Sequence, residues 1–210
     1  MLGFDYGETG TIYRPGGGLA MTPAANRALP QQTVVLVGLM GAGKSCIGKR
    51  LAQRLGMPFI DADQAIEQAA GCSITEIFER HGEADFRDGE RRVIARLLEG
   101  PPHVLATGGG AFMDPRTRAL VREKAISIWL RADLDLLMRR VSRRSDRPLL
   151  QVAEPRQKLS DLMAERYPVY GEADVTVDST DGPPEATLER VVQSLDAYLA
   201  ARTAHQRAAS

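Results

Sequence analysis

The segment Gly38-Leu39-Met40-Gly41-Ala42-Gly43-Lys44-Ser45 constrains this chain more than any other part of it. It follows a short β-branched run, Thr33 to Val37, and opens a stretch in which Ile47, Leu51 and Leu55 recur at helical spacing before Gly56. A glycine-rich turn between a strand and a helix directs successive backbone N–H groups at one point, and the helix start favours an anion there. The pattern predicts a phosphate cradle built from Gly41, Ala42, Gly43, Lys44, Ser45 and Cys46. In it Lys44 reaches β and γ phosphates, and the Ser45 hydroxyl is suited to Mg²⁺. A glycine turn without a ligand is the alternative, and the flanking strand and helix argue against it.

The remainder alternates strand and helix. Expected strands lie around Phe59 and Ile60, at Val104–Ala106, at Ile126–Leu130 and at Val175–Val177. Ser73 and Glu76 form a capping box for a short helix, SITEIFERHG, ahead of a helix carrying Phe86, Val93 and Ile94. Asp114-Pro115 starts a helix to Lys124. Leu134, Leu137, Met138 and Val141 stripe the next helix, and a further one runs from about Lys158 to Arg166 before Tyr167-Pro168. Leu188, Val191, Leu195 and Leu199 mark the last. This order implies an α/β fold, a parallel sheet of about five strands with helices on both faces.

Between residues 142 and 157 the pattern fails in a basic, proline-punctuated stretch, SRRSDRPLLQVAEPRQ, whose length and composition predict a mobile lid. Residues 1–30, rich in Gly and Pro without a period, read as a flexible tail, with Met21 an alternative start. The domain is expected over residues 31–205, followed by a flexible end at 206–210. Charge is balanced, 27 basic against 27 acidic side chains, which speaks against a broad nucleic-acid or anionic-membrane surface. No apolar run reaches bilayer length, and two cysteines without metal-site spacing favour a reducing compartment, hence the cytoplasm.

The phosphate loop narrows the class further. The chain lacks an Asn-Lys-x-Asp string, and its third strand ends in Ala106-Thr107 rather than in an acidic residue, so a phosphotransferase for a small acceptor leads. Asp61 and Asp63 stand where the second strand meets a helix, at the end of the sheet where open α/β folds bind ligands. There Asp61 suits water on Mg²⁺ and Asp63 the proton of an acceptor hydroxyl, or one of them is simply a helix cap. Gly108-Gly109-Gly110 after the third strand admits a ligand against the backbone or makes a tight turn. Arg87 offers a planar fork to a carboxylate, steadied by Glu90, or pairs with Glu83 along its own helix. Arg147, before Pro148, is the arginine of the lid best placed to close on a transferring phosphate. Arg166 faces the same cleft or serves the helix C-terminus.

In this order GLMGAGKSCIGKRLA, FIDAD, FRDGE, ATGGGAF, RPLL and ERYPVY resemble the shikimate kinases over about residues 33–200. The resemblance implies a P-loop nucleoside-triphosphate hydrolase-like three-layer sandwich with strand order 2-3-1-4-5 and a moving lid. It also implies ATP and Mg²⁺ as cosubstrates and transfer of the γ-phosphoryl group to the 3-hydroxyl of shikimate by a monomer, in chorismate and aromatic amino-acid biosynthesis. On the matching positions it makes Lys44, Asp63 and Arg147 catalytic, and Ser45 and Asp61 the metal side. Asp63, Arg87, Gly109 and Arg166 become the shikimate-binding set, and Arg140 the arginine over adenine. Cys46 stands where the family more often has Thr, which leaves an oxidisable thiol beside the nucleotide. The alternatives are a kinase for another polyol acid such as gluconate, and a nonenzymatic nucleotide-binding protein.

Overall fold

Five short apolar runs form one parallel sheet in the strand order 2-3-1-4-5, the order that the family resemblance implies. The computed structural model describes residues 30–143 and 154–208. All but Pro30 of the expected tail over residues 1–30, most of the expected lid with Arg147, and residues 209–210 lie outside the described residues. The strands are β1 (Thr33–Val37), β2 (Phe59–Asp61), β3 (Val104–Ala106), β4 (Ala125–Arg131) and β5 (Val175–Asp178). The helices are α1 (Lys44–Leu55), α2 (Ala62–Ala70), α3 (Ile74–Glu99), α4 (Pro115–Lys124), α5 (Leu134–Ser142), α6 (Pro155–Tyr170) and α7 (Pro184–Ala208), with a 3₁₀ turn at Ala111–Met113.

The central strand β1 is buried along its whole length, and β4 is buried from Ala125 to Leu130. Alternating exposure does not occur in β4 because helices cover both faces of a parallel sheet. Register places Leu36, Ala106 and Asp61 in one row across β1, β3 and β2. The residues that follow each strand, namely the phosphate loop, Gly108–Gly110 and Asp63, therefore emerge at the same edge. A second, smaller core of Ile66, Ile77, Phe86 and Val93 holds α2 against α3. α3 is kinked at Gly82 (φ 78°, ψ 177°), which divides it into the two helices that the sequence pattern separates. Both halves of the Ser73–Glu76 capping box are formed.

Three boundaries differ from expectation. α6 begins at Pro155, where a missing N–H costs nothing, rather than at about Lys158. It also continues through Pro168 to Tyr170 instead of ending at Arg166. Pro168 cannot donate to the preceding turn, but Tyr167 and Tyr170 pack on Trp129 at ring-centroid distances of 4.8 and 6.0 Å, and that burial offsets the lost hydrogen bond. α7 reaches Ala208, past the expected domain boundary at 205. Among the described residues no helix is long and apolar enough to cross a membrane.

Candidate active site

The phosphate loop leaves β1 and enters α1 through Gly43, whose φ of 99° lies in the left-handed region that glycine tolerates. Lys44 curls over the loop, its Nζ donating to the carbonyls of Gly38 at 2.8 Å and Leu39 at 3.0 Å. Arg140, from α5, braces the opposite side. Its Nη1 donates to the Gly41 and Ala42 carbonyls and to Ser179 Oγ, and its Nη2 to the Thr180 carbonyl. With the edges of the guanidinium engaged, its face remains the part suited to stacking. Cys46 is exposed in the first turn of α1, and its Sγ accepts from Arg50 Nη1 at 3.1 Å.

Asp61 is the helix cap that the sequence offers as one alternative, and it also meets Ser45. Its Oδ1 caps α2 by accepting from the Asp63 N–H at 3.1 Å, and its Oδ2 accepts from Ser45 Oγ at 2.7 Å. Among the described residues no group of three or more His, Cys, Asp or Glu is placed to hold a metal. A hydroxyl facing one carboxylate nevertheless fits Mg²⁺, which keeps most of its shell as water and phosphate oxygens rather than protein ligands.

Asp63 is exposed, yet its Oδ1 lies only 2.8 Å from where a Cβ on Gly108 would stand. Desolvation, followed by the neighbouring Asp61 charge, raises its pKa above the ordinary carboxylate value, against the opposing pull of Lys44 and Arg87. Glu90 is 3% exposed, and its Oε2 accepts from Arg87 Nη1 at 2.6 Å. Its Oε1 has no protein partner, and burial raises its pKa too, with Arg87 opposing. Arg87 also reaches Glu83, at 3.4 Å, but the shorter and buried contact to Glu90 fixes it.

The three glycines after β3 are the floor on which these charges converge. A Cβ on Gly108 would stand 2.8 Å from Asp63 Oδ1 and 3.0 Å from Glu90 Oε1. A Cβ on Gly110 would stand 2.6 Å from Arg87 Cζ. At Gly109 it would lie 3.4 Å from Arg166 Nη1 and 3.8 Å from the backbone N of Met40, so the acceptor side adjoins the phosphate loop. Asp63, Arg87, Gly109 and Arg166, drawn from four segments of the chain, thus meet in one cleft. Arg147 lies outside the described residues. Two residues that sequence reasoning missed also reach this floor. Tyr170 donates from its hydroxyl to the Gly109 carbonyl, and Arg118 Nη1 donates to the Phe112 and Met113 carbonyls, holding the turn that follows the glycines. For Tyr170 the available signal is its place four residues after Arg166 on one helix face.

The geometry agrees with what comparison with known proteins finds. The family model for shikimate kinase matches residues 40–196. The chain is 59% identical to the shikimate kinase of Paramagnetospirillum magneticum over 168 residues, 80% of this chain and 86% of the relative. It is 58% identical to that of Bradyrhizobium diazoefficiens over 179 residues, 85% of this chain and 86% of the relative. Among solved structures, a shikimate kinase from Acinetobacter baumannii in complex with shikimate superposes with a TM-score of 0.74 at 38% identity, covering 79% of this chain and 93% of that one. With a family match over most of its length and relatives above half identity, the chain belongs to the shikimate kinase family.

Proposed function

We propose that the protein transfers the γ-phosphoryl group of ATP to the 3-hydroxyl of shikimate, giving shikimate 3-phosphate and ADP, in chorismate and aromatic amino-acid biosynthesis. The observation that carries this reading is the meeting of Asp63, Arg87 and Arg166 on Gly108–Gly110, with Gly109 next to the phosphate loop. A carboxylate with a raised pKa is the group to orient and receive a hydroxyl proton, and two arginine forks suit a ring carboxylate. The loop N–H groups and Lys44 hold the phosphates, and the face of Arg140 takes the adenine. Ser45 and, through water, Asp61 hold Mg²⁺, which when bound neutralises charge on the phosphate oxygens. Arg147 is assigned the transferring phosphate on the family resemblance. The acting unit in this reading is a cytoplasmic monomer over residues 31–205, with residues 1–30 dispensable.

The test is coupled ADP release with shikimate, quinate or gluconate as acceptor. ADP is expected to form with shikimate and to stay near background with gluconate, because a rigid ring presents its carboxylate to the arginines and its hydroxyl to Asp63 at once, whereas the open chain of gluconate must be ordered to do so. Equal turnover of gluconate overturns the substrate assignment. ATP binding without turnover of any acceptor would instead indicate a nonenzymatic nucleotide-binding protein.

A further inference from the structure

Tyr170 touches both the backbone and the cation of the acceptor cleft while being buried itself. It is 0% exposed, its hydroxyl donates to the Gly109 carbonyl, and the Arg166 guanidinium lies against the same hydroxyl. The hydroxyl therefore fixes the glycine floor after β3 where the arginine on α6 meets it, Arg166 Nη1 lying 3.4 Å from where a Cβ on Gly109 would stand. Its ring cannot drift, because Trp129 on β4 and Tyr167 one turn earlier pack around it with ring centroids 6.0 and 6.3 Å away. Tyr167 is itself tied by a hydrogen bond from its hydroxyl to the Ala132 carbonyl. Arg166 needs such a guide, since its Nε is buried without a hydrogen-bond partner and the rest of the fork has to be aimed from elsewhere.

We propose that Tyr170 is a positioning residue for the acceptor, setting the Arg166 fork and the Gly109 backbone in register so that both meet one ligand; this rests on the shikimate reading above. Burial pushes the Tyr170 hydroxyl up to about 12, so it stays protonated and a donor to Gly109 throughout any ordinary assay range. The hydrogen bond and ring contacts of Tyr170 go to Gly109, Trp129 and Tyr167, which lie outside the phosphate loop. Its removal bears on the acceptor and leaves ATP alone.

Tyr170→Phe keeps the ring and deletes the link. The expected result is a rise of about tenfold in the Kd and KM for shikimate, with the KM for ATP unchanged and kcat within about twofold of the parent. Binding can be read from the fluorescence of Trp129, the single tryptophan of the chain, which packs against Tyr170. A double-mutant cycle guards against a general loosening of the fold. On an Arg166→Ala background the Tyr170→Phe change is expected to add less than about twofold, because the group it positions is gone. Wild-type shikimate affinity in Tyr170→Phe, an equal loss of ATP and shikimate affinity, or full additivity with Arg166→Ala each overturns the proposal alone. Failure of the parent protein to bind shikimate overturns the functional reading and the proposal with it.

Discussion

The Asp63→Asn variant is expected to lose about 10²-fold or more in kcat, to bind ATP as the parent does, and to melt at a higher temperature. The amide keeps the shape of the carboxylate and can still point at the acceptor hydroxyl, but it cannot receive a proton, so the loss falls on the chemical step. The stability gain follows from the sign of the pKa shift. Burial first, and the Asp61 charge second, raise the Asp63 pKa in the folded protein, so the folded state holds this proton more tightly than the unfolded chain does. That contribution to stability is present below the ordinary aspartate value and lost as pH rises through the raised one. At neutral pH an ionised Asp63 is therefore a cost, made small by its exposure to solvent, and Asn removes it. The acid limb of kcat/KM is expected above the ordinary aspartate range in the parent, and titration of Asp63 no longer shapes it in the variant. Measured kcat near that of the parent would reduce Asp63 to a first-turn acidic residue of α2.

Arg87→Ala is expected to weaken shikimate binding about 10²-fold and to destabilise the fold, with ATP binding unchanged. The two losses have separate causes. The first is the loss of a charge-assisted fork aimed at a carboxylate. The second lies in Glu90, which is 3% exposed, already has one oxygen without a protein partner, and would lose Arg87 from the other. Stranding a buried carboxylate costs about 3 kcal/mol, at the low end of the usual range because the Arg87 side chain is 31% exposed and partly screened. Adding Glu90→Gln to Arg87→Ala should recover much of the stability, since a neutral amide is cheaper to bury, and none of the shikimate affinity. Thermal melts and shikimate titrations on the two variants read these effects apart. An unchanged shikimate Kd in Arg87→Ala would leave that residue as a partner of Glu83 and Glu90 and nothing more.

What the sequence discloses and what it conceals divide along contact range. The phosphate loop is contiguous, so its glycines, Lys44 and Ser45 are readable from spacing, as are Gly56 stopping α1, the Ser73–Glu76 box and the Asp114-Pro115 helix start. Strand order is not contained in the local pattern and came with the family resemblance. α6 shows tertiary packing overruling a local rule: Pro168 reads as a stop, and the aromatic contacts of Tyr167 and Tyr170 carry the helix past it. In the cleft, the choice between Glu83 and Glu90 as the guide of Arg87 depends on which side of α3 faces the glycines. The fit of Gly108 under Asp63 and Glu90, and of Gly110 under Arg87, joins segments that only the sheet brings together.

The central claim is that this cleft directs phosphoryl transfer to one hydroxyl of shikimate, and phosphorus NMR of a reaction containing the protein, ATP, Mg²⁺ and shikimate tests it most directly. A new phosphate monoester is expected whose phosphorus couples to the ring proton at carbon 3, growing in step with ADP and about 10²-fold or more slower when Asp63→Asn replaces the parent. ADP accompanied only by inorganic phosphate, or an ester at another ring position, would contradict it.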